Sequence, residues 1–310
     1  MTSVTQASLD PARRATPVPG VVFAGQGSAP SAVLNSLAAH RDHWLVREFA
    51  ERLPCSIVDG LDLADTRVAQ PATYVAGLVA ALVSLPEREA VPLAVGHSLG
   101  ELTALAYAGV LTPLDGLRLA FERGEICHAV HRRRPGAMAA LHGLAPDDAE
   151  WLRRQVVAET GGVLDVAAVN GPRQMVLAGD RAAVHALVKR YRSTARGGAV
   201  VLSIGGGFHS ALMVDALPRW GEALRSLRLE VGRTTVVSCI DGRVHEDPED
   251  FRELLLRALV LPVRWGDVLT EAARIGARTL WEAGPGRSLQ RLARGSGEVD
   301  FLDSPSGTLP

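Results

Sequence analysis

The feature that most restricts this chain is Gly96-His97-Ser98-Leu99-Gly100. It sits between the apolar run Val91-Pro92-Leu93-Ala94-Val95 and a helical pattern over 101–111. The run reads as a buried strand, so the five residues form a strand–turn–helix junction, the setting a nucleophile elbow requires. Glycines flank the serine because the turn is tight and its backbone passes close to the helix. A hydroxyl so placed stands at a helix N-terminus, where free N–H groups and the dipole favour negative charge on a substrate oxygen. Glycine makes up 31 of the 310 residues, so the string alone says little and its context says more. The residues leave two readings: a nucleophilic Ser98, or a plain glycine-rich β–α turn.

A chain of 310 residues exceeds the usual single domain, so one large domain with an insertion, or two domains, is expected. Hydrophobic residues are 47% and charged residues 22%, enough for a large core and incompatible with global disorder. With 33 basic and 34 acidic residues, the net charge of −1 gives no bulk electrostatic case for nucleic acid or an anionic membrane. Lys189 is the only lysine, so single arginines bear inspection as carboxylate ligands. Cys55, Cys127 and Cys239 are far apart and form no CxxC; each reads as a buried structural thiol, and a reducing cytosol is expected. No run reaches the roughly 18 apolar residues of a membrane helix. Residues 1–20 lack the apolar core of a secretory signal and read as a disordered tail.

Val21-Val22-Phe23-Ala24 is a short strand that runs into the turn Gly25-Gln26-Gly27-Ser28, and 34–84 is largely helical. After Arg132-Arg133-Arg134-Pro135-Gly136 the pattern changes to strand, helix, strand, strand, helix, strand over 137–204, the ferredoxin-like order. This divides the chain into a discontinuous α/β unit, 21–135 with 206–295, an inserted unit, 136–205, and a Gly-, Ser- and Pro-rich flexible tail, 296–310. A serine nucleophile needs a base. Among nine histidines, His97 reads as a packing residue, and most others fall in helical or polar stretches. His209 lies in Gly205-Gly206-Gly207-Phe208-His209-Ser210, where the insertion returns to the larger unit. Three successive glycines permit close approach of a ligand or backbone, so His209 is either the base or an incidental residue of a flexible loop.

Taken in order, these blocks make the chain similar to the malonyl-CoA:acyl carrier protein transacylase family, from Val21 to about Leu292. The matching blocks are Phe23-Ala24-Gly25-Gln26-Gly27-Ser28, Gly96-His97-Ser98-Leu99-Gly100-Glu101, Glu122-Arg123-Gly124 and Asn170-Gly171-Pro172. They continue with Val176-Leu177-Ala178-Gly179, Gly207-Phe208-His209-Ser210, Pro262-Val263-Arg264-Trp265 and Glu282-Ala283-Gly284-Pro285-Gly286. The resemblance implies an α/β fold, an α/β-hydrolase-like large domain with an inserted ferredoxin-like small domain. It implies Ser98 as nucleophile, His209 as base, and the Gln26 and Leu99 backbone N–H groups as oxyanion donors. Arg123 would grip a substrate carboxylate, although on pattern alone it looks like Arg118, Arg132 and Arg133. Asn170 would bond near the site. A backbone carbonyl at Arg264, in the P-V-x-W block, would orient the histidine, so no triad carboxylate is needed. Ala29 and the glycines at 206 and 207 depart from the family pattern. Phe208 fills the space of an α-methyl group, whereas the extra glycines remove volume nearby.

The implied activity is transfer of malonyl from coenzyme A to the phosphopantetheine thiol of an acyl carrier protein, in trans, in fatty acid or polyketide synthesis. Alternatives are a shuttle of another acyl or aminoacyl group between carrier proteins and an acyl-carrier-protein hydrolase. The expected partners are the carrier protein and the coenzyme A thioester, with no nucleic acid, membrane, metal or cofactor, and the protein is expected to act as a cytoplasmic monomer.

Overall fold

The computed structural model describes residues 18–27, 30–53, 61–194, 197–294 and 296–305. Ser28, Ala29, Cys55 and most of the expected 1–20 tail lie outside them. In chain order the first elements are β1 (Gly20–Phe23), α1 (Pro30–Ala39), α2 (Trp44–Glu51), α3 (Thr66–Ser84), β2 (Ala94–Gly96), α4 (Gly100–Ala108) and α5 (Pro113–Arg133). Then come β3 (Gly136–His142), α6 (Pro146–Thr160), β4 (Leu164–Gly171), β5 (Gln174–Asp180), α7 (Arg181–Ser193) and β6 (Gly198–Val201). The chain closes with α8 (Leu217–Arg225), β7 (Val236–Val237), α9 (Pro248–Arg257), α10 (Trp265–Arg274), β8 (Thr279–Ala283), α11 (Ser288–Leu292) and β9 (Asp300–Leu302).

Five strands form a parallel sheet in the order β7-β2-β1-β8-β9, with Val21 opposite Ala94 and Trp281. Helices shield such a sheet on both faces, which explains why β1 and β2 are continuous apolar runs, fully buried, rather than alternating. The other four strands form an antiparallel sheet in the order β4-β5-β3-β6, the pairing that a βαββαβ unit adopts. It has its own core, including Leu141, Leu152, Leu177, Leu187 and Tyr191. The fold is therefore α/β with a second, smaller sheet.

The sheets are stitched together where the chain segment before α10 crosses β4. Val263 N–H donates to Ala167 O at 2.9 Å, and Val169 N–H donates to Val263 O at 2.8 Å. Val263 thus acts as one extra strand residue on the edge of the small sheet.

The expected flexible tail over 296–310 is corrected by β9 for its described residues, 296–305. Asp300–Leu302 pairs in parallel with β8, and Leu302 is buried. Phe301 and Leu302 provide apolar surface for an edge strand, and the surrounding Gly, Ser and Pro had masked this short signal.

Candidate active site

Ser98 is held by a turn that only glycines allow on either side. A Cβ on Gly96 would lie 1.9 Å from the Gly100 carbonyl carbon, and one on Gly100 would lie 2.1 Å from Phe23 O. Strand, turn and helix therefore touch at backbone distance. Ser98 itself has φ +56°, and His209 has φ +58°; among the described residues they are the two non-glycine residues in the left-handed region. Such backbone costs about 1–3 kcal/mol per residue and persists where the surroundings enforce it, as at functional sites.

The two strained residues meet. Ser98 Oγ lies 2.7 Å from His209 Nε2, and His209 Nδ1 lies 2.9 Å from Leu261 O. A carbonyl oxygen only accepts, so Nδ1 carries the ring proton and Nε2 is left to accept from the serine hydroxyl. His209 N–H also donates to Leu259 O at 3.0 Å, which fixes the loop from behind. The orienting carbonyl is thus that of Leu261, not of Arg264. The reason is local: the Val263 carbonyl accepts from Val169 N–H on β4 at 2.8 Å, and the Arg264 carbonyl accepts from Val268 N–H in the first turn of α10 at 3.1 Å. Residue 261 is the one whose carbonyl faces the imidazole. Asp165, on β4, accepts from Ala211 N–H at 2.8 Å, so its carboxylate caps the turn after His209.

Arg123 lies in the middle of α5, a 21-residue helix that Thr112 caps and Pro113 starts. Its side chain is buried, with Nη1 donating to Gln70 Oε1 at 2.9 Å and Nη2 donating to Ser98 Oγ at 3.3 Å. Gln70 Nε2 donates to Thr66 Oγ1 at 2.9 Å, and Thr66 Oγ1 donates to Gln26 Oε1 at 2.9 Å. This relay along one face of α3 ties the guanidinium to the Gln26 turn. Thr66 and Gln70 escaped the sequence reading, although two buried polar residues four apart in an apolar helix are a usable signal. No carboxylate of the described residues pairs with Arg123, so a buried cation stands beside the nucleophile with neutral neighbours.

Burial first, and then the Arg123 charge, push the His209 pKa down from 6.5 to about 3. The imidazole is therefore neutral at any ordinary pH. Behind the nucleophile, buried Glu101 accepts from Cys239 N–H and Sγ, both at 3.3 Å. Burial raises the proton affinity of both Glu101 and Cys239. Neither Cys239 nor the buried Cys127 has the depressed pKa of a reactive thiol.

These groups face a cavity of about 220 Å³. One wall carries Gly25, Gln26, Gly27, Ser98, Arg123 and His209; the opposite wall, from the small sheet, carries Met138, Ala140, Ala167, Ala168 and Val176. Leu99 is buried at the start of α4, and the N–H groups that follow it, of Gly100, Glu101 and Leu102, donate to the carbonyls of His97, Ser98 and Leu99, each at 3.0 Å. Asn170 lies at the end of β4, and its Oδ1 accepts from His97 Nε2 at 2.9 Å. His97, read from the sequence as packing, therefore links the elbow to the small sheet, and its ring also lies against Trp265.

Phe208 lines the cavity, but the glycines before it do not enlarge it. A Cβ on Gly207 would meet Leu212 Cδ1 at 2.8 Å and Gly179 O at 3.1 Å, whereas one on Gly206 would meet the Phe208 ring at 2.3 Å. The missing volume is taken by Leu212 and the β5 backbone at position 207, and at 206 by Phe208 itself.

The "Acyl transferase domain" family model matches residues 22–298. The chain belongs to this family. It is 31% identical over 284 residues to the malonyl CoA-acyl carrier protein transacylase of Escherichia coli, a match spanning 88% of this chain and 91% of that one. It is 33% identical over 233 residues to the polyketide biosynthesis protein ThaF of Burkholderia thailandensis, covering 75% of this chain but only 20% of that protein. A malonyl-transacylase solved in its holo complex with a type II PKS acyl-carrier protein superposes with a TM-score of 0.83. It is 27% identical, and the match covers 91% of this chain and 94% of that chain.

Proposed function

We propose that this chain is an acyltransferase that moves a malonyl group from coenzyme A to a carrier-protein thiol through an acyl-Ser98 intermediate. The observation that carries the reading is Arg123, a buried guanidinium without a carboxylate partner, within hydrogen-bond reach of Ser98 Oγ. A buried cation of this kind is completed by an anionic ligand, and a guanidinium fork fits a carboxylate.

Ser98 Oγ attacks the thioester carbonyl as its proton passes to His209 Nε2. The carbonyl oxygen becomes an oxyanion facing the Gln26 and Leu99 N–H groups. The C–S bond then breaks, and the departing sulfur takes the proton from His209. In the second half the carrier thiol gives its proton to Nε2 and attacks the acyl-serine carbonyl, and Ser98 leaves with that proton. Leu261 O holds the ring in the tautomer that both halves need.

Substrate charge assists the base. Arg123 is the second cause of the low His209 pKa, and a bound malonyl carboxylate offsets its charge. Carboxylated acyl groups would therefore improve the proton affinity of the base that acts on them. A carrier protein as acceptor is supported by the complex that the malonyl-transacylase neighbour forms with its own carrier. Buried, free Cys127 and Cys239 suit a reducing cytosol.

Among the described residues no helix is long and apolar enough to cross a membrane. The test of the function is intact-protein mass spectrometry after mixing with malonyl-CoA and, separately, acetyl-CoA. A malonyl adduct on Ser98 that forms faster than the acetyl adduct is expected; a preference for acetyl would overturn the malonyl reading.

A further inference from the structure

Behind Ser98 and His209 runs a ring of contacts that the acyl-transfer steps do not use. Strands β2 and β7 pair in parallel, with Ala94 opposite Val236 and Val95 opposite Val237. β2 runs into the Ser98 elbow and β7 into Ser238-Cys239, so both turns emerge at the same end of the sheet. Glu101, in the first turn of α4, bridges them. Its backbone N–H donates to Ser98 O at 3.0 Å. Its side chain accepts from Cys239 N–H at Oε1 and from the Cys239 thiol at Oε2, both at 3.3 Å. Cys239 O in turn accepts from Arg264 N–H at 2.7 Å, in the segment whose Leu261 carbonyl holds His209 Nδ1 at 2.9 Å. His209 Nε2 closes the ring on Ser98 Oγ at 2.7 Å. Glu101, Ser238 and Cys239 are all buried.

We propose that Glu101, acting through Cys239, is a positioning residue that fixes the nucleophile's turn against the segment that orients the base. The proposal rests on the acyl-transfer reading above for its reaction. A buried carboxyl costs free energy that an apolar side chain in its place would not, and the α4 residues that follow, Leu102, Ala104, Leu105 and Ala106, are buried and apolar. Burial raises the Glu101 pKa, opposed by the Ser238 hydroxyl and by both Cys239 donors. Burial likewise pushes the Cys239 thiol up, with Glu101 adding to the rise and the Ser98 backbone N–H opposing it. The sulfur therefore meets both Glu101 and the backbone of the nucleophile. Ser98 is held at φ +56°, a conformation that persists only where the surroundings over-determine it, and this bridge constrains it from the β7 side.

The experiment is a double-mutant cycle between Glu101 and His209 in the full chain. Acetylation of Ser98 by p-nitrophenyl acetate is read as the nitrophenolate burst, and circular dichroism reports the fold. Glu101→Ala should slow the burst by roughly 10²-fold, and Glu101→Gln, which keeps the volume and one acceptor oxygen, by roughly tenfold. In single-turnover acylation by malonyl-CoA the loss should fall on the rate at saturation, with the half-saturating concentration within about twofold of wild type. In a His209→Ala background the same substitutions should change the residual burst by less than about threefold, because no base is left to align. Cys239→Ala, which removes the sulfur and keeps the N–H bond to Oε1, should slow the burst by about threefold or more.

Losses of equal size with and without His209 would make Glu101 a structural residue and overturn the proposal. Wild-type bursts in the folded Glu101 variants overturn it too, and an unchanged burst in Cys239→Ala overturns the route through Cys239. Where Glu101→Ala does not fold, Glu101→Gln carries the cycle. If the burst behaves as expected while Ser98 takes no acyl group from any coenzyme A thioester, the acyl-transfer reading fails and the positioning role stands.

Discussion

The two sheets that meet at the cavity bring opposite chemistry to it. The parallel sheet and its helices contribute Ser98, Arg123, His209 and the Gln26 turn, whereas the antiparallel sheet contributes Ala140, Ala167, Ala168, Met138 and Val176. Asn170 and Gln174 are the exceptions, polar residues of the small sheet, and Asn170 reaches back to His97. The difference follows from what each architecture offers. Parallel strands all end on one side, where helix N-termini and left-handed turns present polar groups. The antiparallel sheet meets the cavity with its face, where side chains such as Met138, Ala140, Ala168 and Val176 form an apolar wall. Reactive groups and shape-selecting groups can thus change separately, coupled through the His97–Asn170 bond and the strand-like contact of Val263 with β4.

Four predictions press on that division, and the largest concerns the reactive wall. Ser98→Ala should lower transfer by at least about 10⁴-fold and abolish the acyl adduct. An adduct that survives, seen by intact mass, would move the nucleophile elsewhere. His209→Ala should slow acylation by roughly 10²–10⁴-fold with the fold intact, measured by single-turnover quench with circular dichroism as a control.

Arg123→Ala comes third. It should cut kcat/KM for malonyl-CoA by roughly 30-fold or more, because the bound carboxylate loses its partner, while acetyl-CoA changes little. The same variant tests the electrostatics. Arg123 helps hold the His209 pKa at about 3, so its removal should move that pKa upward, toward 6.5. The acid limb of the acetyl-transfer rate, which reports neutral imidazole, should then shift to higher pH. Unchanged limbs would mean that burial alone sets the pKa. The sign for stability is also fixed: the unfolded chain takes up the His209 proton near 6.5 and the folded one near 3. Folding stability is therefore lost as pH falls through that window.

The smallest effect is expected at the coupling between the walls. Asn170→Ala should lower kcat/KM by roughly three- to tenfold, since one buried hydrogen bond is lost and His97 Nε2 is left unpaired. Rescue by Asn170→Asp, which keeps the acceptor, would separate the bond from mere packing. Equal losses in both variants would reassign Asn170 to direct contact with substrate.

The sequence was most informative where an element depends on its own residues. Periodicity placed β3 to β6 with α6 and α7 in order, and the apolar runs at 21–24 and 91–95 gave two neighbouring strands of the parallel sheet. It was least informative where packing gives meaning to a residue that looks ordinary. Arg123 is indistinguishable from Arg118 by pattern, yet one is buried beside Ser98 and the other is on the surface near Asp115. Periodicity also passed over α8, α10 and β9, short elements whose amphipathic faces or edge pairings need the rest of the core to define them.

The sequence by itself determined where the turn lies, because glycines at 96 and 100 around Ser98, between an apolar run and a helical pattern, are a local property of the chain, whereas the left-handed Ser98 and the close contact of Gly100 with Phe23 O belong to the fold. It also determined the change from parallel to antiparallel architecture, because hydrophobic period and connection length are written along the chain. Only the tertiary structure decided that Leu261 rather than Arg264 orients His209, since that depends on which carbonyl remains free once Val263 has joined β4. Only the tertiary structure brought Arg173 beside Arg291 and Arg294 in one groove, because more than a hundred residues separate the first from the other two and no local pattern can record their meeting. The physical reason is common to both cases. Backbone conformation is set within a few residues, whereas the partner of a carbonyl or a charge is set by whatever the whole fold brings within hydrogen-bond distance.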